Sequence, residues 1–385
     1  MKRITVYVLL AGFLFYLGCA AGSSRVETET ESDGFEVQDE RGFSRELSDA
    51  EIAYQSAMQF IASGNYQDAI DNLKRATMLK PTYIEAWSEL GKAYTKVKDF
   101  EGGITAFEKA LEIDPGNKAL IGSIGYNYLY MENWDRAEEY YRMLTADDEM
   151  DYEGNVHLGF IFQKREDIPQ AIGYYERALQ SRPGDATTMG TLANLYDKQG
   201  DEAKRIEFLT RAIEAAPNNF KLKTQLGSAF LKTKEYGKAI PIFEDLTVQF
   251  PDVAAYQQNL GLVLSQTDRK AEAPAALEKA IALKGDDPYI FAVLSQIYNE
   301  LGQPAKAIET VKKGLALGGE QGAFLHYQWG VALEKQKNYD GAIGQFTKTV
   351  SYNDPQWTSY AKKQIDRQEK LKKRAEAIKQ KEQYE

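Results

Sequence analysis

WSELGKAYTKVKDFEGGITAFEKALEIDP, residues Trp87 to Pro115, carries two apolar patterns of helical period with a turn between them. Trp87, Leu90, Gly91 and Tyr94 stand at i, i+3, i+4 and i+7 and so share one face of a helix. Phe107 and Ala110 do the same for a second helix, and Lys98-Asp99 makes the turn. Pro115 closes the unit, since proline cannot continue a helix. A hairpin of two such short helices cannot bury its apolar face alone. It needs neighbours of its own kind.

The chain supplies them. The small residue of the first helix recurs at Ala57, Gly91, Gly125, Gly159, Ala193, Gly227, Gly261, Ser295 and Gly330; seven of the eight intervals are 34 residues and the last is 35. An alanine of the second helix recurs at Ala69, Ala137, Ala171, Ala239, Ala273, Ala307 and Ala342. Closing prolines stand at Pro81, Pro115, Pro183, Pro217 and Pro251. This pattern resembles the tetratricopeptide repeat, a helix–turn–helix unit of about 34 residues. The resemblance implies an all-α fold, a right-handed α-solenoid of about nine stacked hairpins over residues 50–355, followed by a charged C-terminal helix over 356–385. Small residues let paired backbones approach, and Leu90, Phe107 and their equivalents fill the space beside them.

Some positions depart from the pattern. The first unit carries Ala53, Ser56 and Ala57 where a large residue and glycine are usual, as suits a terminal repeat. Gly103 and Arg205 replace the second-helix alanine, and Glu149, Gly285 and Gly319 replace prolines. The central lapses are expected to loosen local packing without breaking the array.

At the N-terminus, Met1-Lys2-Arg3 precedes an apolar run from Ile4 to Leu17, broken only by Thr5 and Gly12. A basic start before a short apolar run is the secretory signal pattern. The run falls short of the roughly 20 residues a membrane-spanning helix needs. Leu17-Gly18-Cys19, with the single cysteine of the chain, resembles the lipobox of bacterial lipoproteins, although Tyr16 stands where Leu is usual. The resemblance implies a signal peptide over 1–18 and lipidation (palmitate among the chains) at Cys19. Ordinary cleavage after a small residue is the alternative. Ala20 after the cysteine resembles the outer-membrane default, so the expected location is the cell envelope, lipid-anchored and facing the periplasm. Residues 19–49 are rich in Ser, Glu and Asp and lack apolar periodicity, which predicts an acidic disordered spacer.

Little in the sequence suggests catalysis. His157 and His326 are the only histidines, lie in different repeats and have no ligand-spaced partners; both are expected to be structural or surface residues. There is no glycine-rich phosphate loop, paired-cysteine metal motif or nucleophile elbow. A net charge of −10 lacks the basic footprint of a nucleic-acid binder. No enzyme activity, cofactor, metal or small-molecule substrate is expected.

Binding remains. In the resembling family, first helices line a concave groove that accepts a segment of another protein. By position, that groove in the third to sixth repeats would present Tyr126, Leu129, Tyr130, Val156, Phe160, Gln163, Lys164, Asn194, Asp197, Lys198, Lys221, Ser228 and Lys232. Aromatics there would anchor a partner, and lysines would favour carboxylates; alternatively Tyr126 and Phe160 only pack between adjacent helices. A receptor for chaperone C-terminal tails does not fit. Asn194 and Lys221 match that type, but Gly190 and Thr191 stand where a lysine and a second asparagine belong. The C-terminal helix, with Trp357, Tyr360 and Ile365 able to dock on the last hairpin, reads as a solvating cap or as a basic handle for phosphate, lipid head groups or an acidic partner. The expected function is a membrane-tethered scaffold that assembles a cell-envelope machine for pilus, secretion, motility or wall synthesis. Alternatives are an adaptor for peptidoglycan enzymes or polysaccharide export, and a spacer without a specific ligand.

Overall fold

The structure, a computed structural model, describes residues 36–38 and 44–384. The expected signal segment 1–18, Cys19 and most of the acidic spacer lie outside the described residues. Within the stretch read as a spacer, β1 (Glu36–Gln38) and β2 (Ser44–Glu46) pair antiparallel, a short ribbon that composition did not announce. Everything after it is helical.

The chain divides between Asp99 and Phe100 into two compact units. The first contains the ribbon, α1 (Asp49–Ala62), α2 (Tyr66–Leu79) and α3 (Ile84–Lys96). The second contains α4 (Phe100–Ile113), α5 (Lys118–Tyr130), α6 (Trp134–Asp147), α7 (Tyr152–Lys164), α8 (Ile168–Ser181), α9 (Ala186–Gln199), α10 (Glu202–Ala215) and α11 (Phe220–Lys232). It continues through α12 (Tyr236–Gln249), α13 (Ala254–Ser265), α14 (Ala273–Leu283), α15 (Pro288–Glu300), α16 (Pro304–Leu317), α17 (Gly322–Lys335), α18 (Tyr339–Ser351) and α19 (Pro355–Tyr384). Within each unit a helix packs against those just before and after it in sequence, which is the logic of an α-solenoid.

One contact repeats through the stack. In the second unit a Cβ placed on Gly125 would meet the Tyr141 ring at 2.9 Å, on Gly159 the Tyr175 ring at 3.0 Å, and on Gly227 the Phe243 ring at 2.8 Å. On Gly261 it would meet Leu277, and on Gly330 Phe346, each at 2.5 Å. The spacing is 16 residues every time. Each first-helix glycine is therefore a notch filled by a large side chain of the following helix, and these side chains are nearly or fully buried.

Turns and ends follow the same period. Positive φ occurs outside the hairpin turns at Gly318, Gly319 and Asn353; at the turns it recurs at Gly64, Lys98, Glu132, Glu166, Gly200, Lys234, Gly302 and Lys337, at steps of 34 except for the last of 35 and for one missing step between Lys234 and Gly302. In that gap the chain forms a short 3-10 turn over Lys270–Glu272 instead. The turn demands a left-handed residue, and where glycine is absent a lysine or glutamate accepts the strain. Each closing proline lies two residues beyond its helix, and Glu149, Gly285 and Gly319 occupy the same offset. After two of these three positions a side-chain cap starts the next helix, Asp151 accepting from the Gly154 amide at 2.7 Å and Asp287 from the Tyr289 amide at 2.9 Å.

Arg205 corrects an expectation. Rather than loosening the fifth repeat, its guanidinium lies 2.8 Å from both Asp197 and Glu202, with its side chain only 12% exposed. At the far end α19 is 30 residues long and packs on α18. Trp357 stacks on Phe324 at 4.4 Å, Ile365 joins the cluster of Ala342, Phe346 and Ala361, and Tyr360, though 52% exposed, meets the Tyr327 ring edge-on at 6.5 Å, as expected.

The histidines are structural. His157 stacks on Tyr141 at 4.4 Å, and burial pushes its imidazole down to about 4. Burial also lowers His326, which shares a 2.7 Å hydrogen bond with Gln345.

Two outcomes follow for stability. Gly330→Ala, whose methyl would strike Phe346, should cost about 1–3 kcal/mol, while Gly173→Ala, with nothing within 4 Å, should be neutral or stabilising by up to about 1 kcal/mol. Urea unfolding of the two variants checks this. A histidine held neutral in the fold leaves stability untouched above its unfolded pKa, and stability is lost as pH falls through the window from 6.5 to about 4, because the unfolded chain takes the proton first. The slope is up to about 1.4 kcal/mol per pH unit. Unfolding midpoints of His157→Phe across that window should show a shallower fall than wild type.

Candidate partner-binding groove

A 34-residue period places equivalent first-helix positions side by side, so any surface they form is continuous along the stack. One such surface is a cavity of about 580 Å³ in the second unit. Its side chains come from successive first helices: Leu231 on α11; Leu262 and Ser265 on α13, with Gln266 just after it; Tyr289, Val293, Gln296, Ile297 and Glu300 on α15. Tyr236 at the start of α12 adds to one wall. Gln321 and Phe324 at the start of α17, with Gln356 and Trp357 at the start of α19, close the far end.

The chemistry of this lining is neutral and amphipathic. Leu231, Leu262, Val293 and Ile297 supply aliphatic surface, and Gln266, Gln296, Gln321 and Gln356 supply carboxamides that both donate and accept. Phe324 and Trp357 stack nearly parallel, 7° apart, and Tyr289 is 40% exposed. No lysine or arginine lines the cavity. Its one carboxylate, Glu300, is already engaged, accepting from Lys270 at 2.5 Å and from Gln296 at 2.9 Å. Burial would raise this carboxyl, but those two hydrogen bonds outweigh it and hold it below the usual range. Such a site suits an uncharged, extended ligand with apolar projections.

The thirteen groove positions expected from the sequence lie elsewhere, and none lines this cavity. Tyr126 and Tyr130 are neighbours on α5, their hydroxyls 3.0 Å and ring centres 4.7 Å apart, with Phe100 stacked on Tyr130 at 5.4 Å. They are 39% and 57% exposed. Phe160 meets the Trp134 ring edge-on at 6.2 Å, and the Lys164 ammonium sits 5.3 Å from the Phe160 ring centre. Asn194 accepts from the Gln225 amide at 2.9 Å. Lys232 is spent on Asp197 at 3.0 Å and Glu202 at 2.8 Å. Its hydrogen bond holds the Asp197 carboxyl below the usual range. Lys198 and Lys221 are exposed.

The cavity was findable from the sequence. Moving the groove positions Lys221, Ser228 and Lys232 of the sixth repeat forward by one and two periods lands on Leu262, Gln266, Tyr289, Gln296 and Glu300 of the lining, and on Ala255 outside it; what the sequence did not reveal is which stretch of the groove forms a cavity. Among the described residues no group of three or more His, Cys, Asp and Glu side chains is placed to hold a metal, and no helix is long and apolar enough to cross a membrane.

Comparison with known proteins agrees with this architecture. Profiles described as TPR repeat and tetratricopeptide repeat match residues 59–98, 84–117, 123–186, 158–220 and 224–288, together more than half of the chain. The cellulose synthase operon protein C of Pseudomonas fluorescens (strain SBW25) is 26% identical over 272 residues, covering 68% of this chain but 19% of that protein. The chain thus spans about a fifth of the length of that relative. Among solved structures, PilW, a widely conserved type IV pilus biogenesis factor, is 18% identical with a TM-score of 0.44, covering 57% of this chain and 99% of that one. YrrB, a TPR protein with an unusual peptide-binding site, is 16% identical with a TM-score of 0.44, covering 52% of this chain and 100% of that one. With its 34-residue register, its helical hairpins and these profile matches, the chain belongs to the tetratricopeptide repeat family.

Proposed function

We propose that this protein is a scaffold of the bacterial cell envelope, tethered through Cys19, that holds a segment of a partner protein along its first helices. The observation that carries this reading is the cavity between α11 and α19, built mainly from first-helix positions and lined by both aliphatic side chains and carboxamides. A groove of this kind grips a polypeptide by apolar side chains and leaves the carboxamides to satisfy its backbone. The site that engages the partner is then centred on Leu262, Tyr289 and Gln296, with Tyr126 and Tyr130 as a separate exposed patch. The lipobox-like segment supports the tether, and the 26% identity to a cellulose synthase operon protein supports a role in an assembly.

A second reading, a glycan strand in the same groove, is favoured by the combination of carboxamides with Tyr289 and Trp357 and by the absence of basic lining residues. It would make the protein an adaptor for wall or polysaccharide export machinery.

Crosslinking in intact cells separates these readings. A Leu262→Ala, Tyr289→Ala variant should lose the partner captured by wild type, with affinity down roughly thirtyfold, about 2 kcal/mol. Tyr126→Ala, Tyr130→Ala should retain it. Identical partners from wild type and the groove variant would overturn the assignment, and retention of purified glycan by the cavity would favour the second reading. For the tether, Cys19→Ser should abolish incorporation of radiolabelled palmitate; equal labelling of both forms would refute it.

A further inference from the structure

The distal half of α19 plays no part in the groove. The helix is 30 residues long, while the others span 11 to 14. Its opening part docks through Trp357, Ala361 and Ile365, and beyond Gln368 its side chains are half-buried or exposed.

Charge is not spread evenly around this helix. Lys363, Arg367, Lys370 and Arg374 are spaced by four, three and four residues, which at 100° per residue confines them to one sector about 60° wide. Asp366, Glu369 and Glu376 fall outside that sector, on the flank shared with Lys373. All four stripe residues are exposed. Arg367 reaches Glu334 at 3.1 Å, but among the described residues Lys363, Lys370 and Arg374 form no ion pair. Partners were within reach, since Asp366 precedes Lys370 by one helical turn. A face that only solvated the end of the stack would mix both signs. This one sorts them, in a chain whose net charge is −10.

We infer that this stripe rests on an anionic phospholipid surface. The four charges lie along roughly 17 Å of a straight helix, so all can meet a plane of phosphates at once. The sector holds no aromatic or aliphatic anchor for a protein interface; Tyr360 and Ile378, both exposed, lie only at its edge. The apolar face that would sink into lipid is instead turned, over the helix's first half, onto α18. The attachment is therefore electrostatic, lying on the head groups rather than among the acyl chains, and it weakens with salt. By itself it is reversible, and it needs a second signal to become a stable anchor.

The test is flotation of the full chain with vesicles containing about a third phosphatidylglycerol in phosphatidylcholine, against phosphatidylcholine alone. Wild type should bind the anionic vesicles preferentially, and added salt should weaken that binding. Lys363→Gln, Lys370→Gln, Arg374→Gln should lower it by tenfold or more, at about fivefold per charge. Lys362→Gln, Lys373→Gln, Lys379→Gln removes the same charge from outside the stripe and should lose clearly less. Circular dichroism confirms that both variants fold. No preference for anionic vesicles, equal binding by wild type and the stripe variant, or equal losses in the two variants would each overturn the inference. So would an acidic protein that competes the chain off the vesicles while binding the stripe variant as well as wild type.

Discussion

The stack depends on a small first-helix residue set against a large side chain sixteen residues away, most often a glycine against a ring. The first helix of a hairpin gives up a side chain so that the second can lay Tyr141, Tyr175, Phe243 or Phe346 directly on its backbone. Glycine inside a helix costs up to about 1 kcal/mol relative to alanine. The close-packed ring more than offsets it, since burying an aromatic side chain is worth about 1.5–3 kcal/mol. Where the small residue is alanine or serine, the position sixteen residues on is aliphatic: Leu73 after Ala57, Leu209 after Ala193 and Val311 after Ser295, all fully buried. A larger residue at the small position thus goes with an aliphatic side chain rather than a ring, in keeping with close packing.

A stack held this way leaves its first-helix surface free to vary, and this chain uses that freedom in segments. Around α5 and α7 the surface is aromatic and exposed. Between α9 and α11 it is closed by ion pairs among Asp197, Glu202, Arg205 and Lys232. From α11 to α19 it opens into an uncharged cavity whose single carboxylate is neutralised by Lys270. One scaffold thus offers three chemistries at fixed separations.

The fold was legible because a single spacing recurs, and periodicity survives the loss of any one residue. Glu149, Gly285 and Gly319 show this well, holding the place of prolines without altering where the helices end. Side-chain partnerships were not legible. Lys232 and Lys164 occupy groove positions, yet one is paired with two carboxylates and the other lies beside a ring. Arg205 looked like a packing fault because its partners come from the preceding helix and its own first turn. Position along a repeat fixes the face a residue occupies, while availability depends on neighbours one period away, which a single repeat does not reveal.

Because each hairpin touches little beyond its sequence neighbours, the second unit has no single core whose failure brings down the rest. Pulled by its two ends, it would not give way in one event. It would pay out chain hairpin by hairpin, roughly 110–120 Å of extended polypeptide for each 34-residue repeat, and recover the length when the load fell. A stack of this kind would in this way act as an extensible link, taking up strain at its ends without unfolding as a whole.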